Sequence, residues 1–199
     1  MTKVILSSLI FFFITFSTFG SSYNSEPKLF ISELVNDAIK TLGDKSLTVE
    51  TKKNKIATIA KENVDINALG LYTIGNIRKT LSKEQILKYQ NLFENYFLKS
   101  LTSRLTDYSS QKFSVESADQ KSATTTIVKS KLLAGIEMPE IKVDWRIYTK
   151  DPTKPLVRDL IVEGLSLART QKEEFASILD SNNNDINALF NKLEEFIAN

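Results

Sequence analysis

VRDLIVEGLSLARTQKEEFASIL, residues 157–179, contains the change of period on which the fold turns. Val157, Leu160, Ile161 and Val162 supply the β-branched and aliphatic side chains of a strand. From about Thr170 the spacing becomes helical, with Phe175, Ile178 and Leu179 behind a Thr170–Glu173 capping box. Glu163-Gly164 stands at the junction. A catalytic elbow, a ligand seat and a structural bend would each place a glycine there.

Upstream of this stretch the period is two. Ile141, Val143, Trp145 and Ile147 alternate with Lys142, Asp144, Arg146 and Tyr148, which gives one apolar and one wet face. Segments 111–116, 122–133, 141–150 and 156–166 are four strand candidates. Ser117-Ala118-Asp119, Met138-Pro139 and Asp151-Pro152-Thr153 separate them, and such short connections predict an antiparallel meander.

Helical patterns flank the strands on both sides. The first spans Pro27 to Leu42 before Gly43, a polar one Thr48 to Asn63, and a short one Asp65 to near Gly75. Ser82 and Gln85 form a capping box ahead of a long stripe, Ile86, Tyr89, Phe93, Phe97, Leu101, Leu105 and Tyr108. After the Thr170 helix a last one runs from Asp185 to Ile197, with Ile186, Leu189, Leu193 and Phe196 facing inward. The predicted class is α+β, a four-stranded twisted antiparallel sheet covered by N-terminal and C-terminal helices.

The chain has 199 residues, 42% of them hydrophobic, enough for one sizeable core. Residues 1–22 read as a signal peptide, with Lys3 as the basic start, Val4 to Phe19 as the apolar run, and Thr18-Phe19-Gly20 or Gly20-Ser21-Ser22 as the small residues for cleavage. A single domain, residues 23–199, is expected to follow, exported and soluble after cleavage. Losing Lys3 takes the formal charge from +2 to +1, which leaves no field for gripping nucleic acid. Without cysteine, stability must come from the core.

The absence of histidine removes the usual general base and the commonest zinc ligand. Gly164-Leu165-Ser166-Leu167-Ala168 approaches a nucleophile elbow but ends in alanine, and nothing stands by to activate Ser166. Asp159 and Glu163, four apart in a strand, would lie roughly 13 Å apart. That is too far for a glycosidase pair, whose separation is about 5–9.5 Å. Asn182-Asn183-Asn184-Asp185 lacks the spacing of a calcium loop. Neither an enzyme nor a metal protein is expected.

Several of these residues together carry a resemblance. Val143-Asp144-Trp145, the block Arg158-Asp159-Leu160-Ile161-Val162-Glu163-Gly164-Leu165-Ser166-Leu167, and Phe175 resemble the C-terminal signature of the MlaC, or toluene-tolerance, family of periplasmic phospholipid carriers. Val64-Asp65, Gly75, Leu81-Ser82 to Gln85, Phe93 and Tyr108 are similar to that family's central helical segment. Thr149 to Pro155 lacks the family's usual Gly-Trp, and Arg158 precedes the aspartate.

The resemblance implies one phospholipid held as cargo, with no cofactor, in a cavity between sheet and helices, its head group in solvent. It implies a monomer that shuttles lipid between an outer-membrane lipoprotein complex and an inner-membrane ABC transporter, maintaining outer-membrane lipid asymmetry. Burying a methylene gains about 0.8 kcal/mol, so two acyl chains in water carry a penalty beyond roughly 20 kcal/mol and need a deep dry cavity.

Strand alternation puts Val143, Trp145, Ile147, Leu160, Val162 and Gly164 on the lipid side, with Asp159 and Glu163 pointing to water. Leu71, Ile74, Phe93, Phe97, Leu101, Leu105, Tyr108 and Phe175 would form the helical wall. Gly164 either leaves volume for an acyl chain or makes a plain bend. Docking is expected on local charges near the cavity mouth, Arg78, Lys79 and Arg104. The alternative is a periplasmic adaptor whose apolar sheet face binds a protein partner.

Overall fold

In the computed structural model the described residues are 23–104, 112–133 and 139–199. The signal segment, Leu105, Tyr108 and Met138 lie outside them.

Helix α1 (Pro27–Gly43) begins where the sequence predicts, with Pro27 at its first position and the Glu26 carboxylate accepting from the Lys28 and Leu29 amides. Thr48 caps α2 (Val49–Asn63) and Asp65 caps α3 (Ile66–Thr73), after which a 3-10 turn covers Gly75–Lys79. Ser82 and Gln85 exchange backbone-to-side-chain bonds at 2.9 and 3.2 Å at the start of α4 (Lys83–Arg104), as the capping box predicts. The chain ends in α5 (Leu167–Asp180) and α6 (Ile186–Ala198).

The sheet has five strands, β1 (Phe113–Ser122), β2 (Thr125–Leu132), β3 (Ile141–Tyr148), β4 (Leu156–Val162) and β5 (Leu165–Ser166). All neighbours are antiparallel, in the order β1-β2-β3-β4-β5. The meander is as predicted. The count differs because segment 156–166 folds back on itself at Glu163-Gly164. Ser117-Ala118-Asp119 is no turn but the middle of β1, an edge strand on which Ser117 and Asp119 are half-buried and Ala118 is exposed. Two pairing irregularities, at Val115/Ser117 and Gln120/Ser122, accommodate it, and the turn falls at Ala123-Thr124. The Nζ of Lys28 donates to the Glu116 carbonyl on this strand at 3.1 Å.

Two apolar clusters fill the interior. One joins α1 to the sheet: Phe30, Ile31, Leu34 and Val35 pack on Val128, Ile147 and Val157. The other is helical, with Tyr89 and Phe93 of α4 at its centre among α3, α5 and α6. Helix α4 packs on α2, α3 and α6, and both α3 and α5 reach β4. Among the described residues, Val64 alone packs against both clusters. In α6, Ile186, Leu189 and Leu193 are buried as predicted, but Phe196, in the last turn, is 39% exposed with its ring against Tyr96.

Candidate functional site

The site is built around the strand-to-helix junction that opened the sequence reading. Val162 pairs with Leu165, leaving Glu163 and Gly164 as a two-residue hairpin loop with φ of 48° and 83°. Positive φ at both central positions is the type I′ signature, whose twist matches the flanking strands. The junction is therefore a bend. Gly164 does not share the inner face: it is exposed, and a methyl group added there would meet no atom within 4 Å.

Asp159 lies opposite Arg146, on the outer face as alternation predicts. It does not point to water, however, since α5 seats its N-terminus on it and leaves 5% exposed. Its carboxylate accepts from the Ser166 hydroxyl at 2.6 Å and the Ala168 amide at 3.0 Å, where the helix dipole favours a negative charge. Ser166 in turn accepts from the Arg169 amide at 3.1 Å and so caps α5. Helix α5 thus starts three residues before Thr170, the first residue of the predicted capping box. The hydroxyl considered as a nucleophile is committed to this cap. Glu163 is exposed, as expected.

On the inner face, cross-strand pairing puts Val143 beside Val162, Trp145 beside Leu160 and Ile147 beside Val157. Trp145 donates its indole N–H to Ser130 at 2.9 Å, and Ser130 donates to the Val143 carbonyl at 2.6 Å. Ile147 is fully buried beneath α1, and Trp145 and Leu160 border the same cluster. Val143 and Val162 belong to neither cluster.

The helical wall divides as well. Ile74, Phe93 and Phe175 are buried in the helical cluster, and Leu71, Phe97 and Leu101 pack on it, partly exposed. Phe93 is wedged: a methyl group at Gly70 would lie 2.8 Å from its ring, which meets Phe175 edge-on at 6.3 Å. Tyr89 beside it is bonded to Thr73 at 2.7 Å, and burial pushes its phenol well above the usual tyrosine range. The structure thus brings the expected residues together in two groups, helical and sheet-borne, with Val143 and Val162 apart from both.

Arg78 and Lys79 are exposed in the 3-10 turn, where Arg78 donates to the Leu71 carbonyl. Arg104 is the last residue of α4. A cleft of about 410 Å³ between α5 and α6, lined among others by Ser177, Asn182 and Lys192, touches none of the expected lipid-facing residues. Among the described residues, no group of three or more acidic side chains could hold a metal ion, and no helix is long and apolar enough to cross a membrane.

One pairing escaped the sequence reading. Asp65 and Arg158, each noted separately, meet across 93 positions: Nε and an Nη of Arg158 donate to one Asp65 oxygen at 2.9 and 2.7 Å. No local pattern marks it, because register between the α2–α3 corner and β4 is a property of the folded chain.

The profile of the family described as MlaC protein matches residues 32–195. The chain belongs to the MlaC family. Its architecture is shared with a solved phospholipid-binding protein from Ralstonia solanacearum, in complex with a phospholipid, at a TM-score of 0.73 and 20% identity. That alignment covers 88% of this chain and 97% of the other. No curated protein matches the sequence. Within this MlaC-family chain, the Asp-x-x-x-Glu-Gly-x-Ser block makes the junction between the last strands and α5.

Proposed function

We propose that this MlaC-family protein is a periplasmic phospholipid carrier. It holds one phospholipid with its acyl chains between the inner sheet face and the helical layer and its head group in solvent. The observation that carries the reading is the divided interior: the α1–sheet cluster and the cluster of the remaining helices are separate and share Val64, with Val143, itself buried, and half-buried Val162 of the inner face outside both. A closed two-layer core would join such faces in one cluster. Family membership and the phospholipid in the Ralstonia neighbour support the same reading.

Val143, Trp145, Leu160 and Val162 would border the chains on the sheet side, and Leu71, Phe97 and Leu101 on the helical side. Export through residues 1–22 would deliver the protein to the periplasm. There it would pass lipid between an outer-membrane complex and an inner-membrane ABC transporter, supporting outer-membrane asymmetry, and dock through Arg78, Lys79 and Arg104. Mass spectrometry of an organic extract from the natively purified protein should find close to one phospholipid per chain. An extract without phospholipid overturns the proposal.

A further inference from the structure

Where the helical layer meets β4, a set of polar contacts stands beside the Val64–Val157 bridge. Asp65 receives two bonds from Arg158 on Oδ2 and the Ala68 amide on Oδ1, and its own N–H donates to the Val157 carbonyl at 2.9 Å. Arg158 leaves the ladder because it is the extra residue where pairing slips between Arg146 and Ile147. Its guanidinium lies 3.3 Å from the centre of the Tyr148 ring, which orients it. The two side chains are 34% and 19% exposed, so dissolved ions reach the pair. Parting it exposes charges that water solvates readily, whereas parting an apolar contact would expose surface that water rejects.

We infer that the Asp65–Arg158 pair is a latch on the cargo site. This rests on the carrier reading and names what regulates exchange: closed, the pair holds the α2–α3 corner on β4 and retains lipid; open, it widens the seam and releases it. Arg158 acts as a positioning residue, through Asp65 and the corner it holds, with no contact to the lipid required. Ionic strength is the natural control, since salt weakens a partly exposed ion pair and leaves apolar burial intact.

The test loads the full mature protein with a fluorescent phospholipid and follows its transfer to excess phosphatidylcholine vesicles, whose zwitterionic surface gives salt little purchase. Wild type should exchange several-fold faster at about 0.5 M salt than at low salt. Asp65→Asn and Arg158→Gln should exchange about five- to tenfold faster at low salt and lose the salt response, while Arg158→Lys recovers part of both. Asparagine still caps a helix, so Asp65→Asn separates the charge from the cap of α3. Variants that melt lower but exchange at the wild-type rate overturn the latch, as does a wild-type rate indifferent to salt. If Arg158→Gln does not fold, Asp65→Asn and the wild-type salt series decide. Lipid retained with unaltered exchange removes the latch alone; wild type without any phospholipid removes the carrier reading beneath it.

Discussion

At Gly164 the deciding quantity is the sign of φ, +83°, in a turn with open space around the Cα. Composition marked the position as special, but a turn glycine and a glycine that makes room for a ligand look alike in one dimension. Only the turn geometry separates them. Ile147 and Val162 show the same limit. Alternation put both on the inner face, yet Ile147 is fully buried beneath α1 while Val162 is half-buried and outside both clusters. Ile147→Trp is therefore expected to overpack its site and cost about 1–3 kcal/mol, lowering the melting temperature of delipidated protein. If the proposed carrier function holds, Val162→Trp should leave that temperature nearly unchanged and reduce bound phospholipid several-fold, because the indole would then take volume meant for an acyl chain. Melting after delipidation, paired with lipid per protein by extraction, checks both. A Val162→Trp protein that melts low and keeps its lipid would place Val162 in closed core.

Elements whose pattern is carried by their own residues were legible: β3 by strict alternation, α4 by its capping box and long stripe. Elements set by contacts across the chain were not. Thr170–Glu173 is a sound capping pattern, but Ser166 starts α5 earlier because Asp159 accepts from both its hydroxyl and the Ala168 amide. Thr170 is left inside the helix, donating to the Ser166 carbonyl at 3.1 Å. Asp159→Ala should accordingly cost about 2–3 kcal/mol, since it strands a buried amide at the helix start. Thr170→Ala should stay within about 0.5 kcal/mol. Urea unfolding of the two variants measures the contrast, and equal losses would mean that the junction does not depend on the carboxylate. Ser117-Ala118-Asp119 was misread for a related reason: polar residues signal a turn and an edge strand equally well.

For the whole molecule, the order of helices, strands and helices followed from short connections, and so did the meander. The division of the interior into two clusters did not, because it depends on which faces meet rather than on which residues are apolar. The expected signal segment is tested on cells: N-terminal sequencing of the periplasmic fraction should begin between Ser21 and Tyr23, and intact Met1 in the membrane fraction would contradict it. The open sheet has one more consequence. It ends in a ten-residue strand, β1, whose outer rim would suit a second molecule seeking a partner for its own backbone. Two slips in its pairing and the Lys28 ammonium on the Glu116 carbonyl put that rim out of step with any straight newcomer. Edge-to-edge pairing of copies through β1, the first step toward a fibre, is thereby disfavoured.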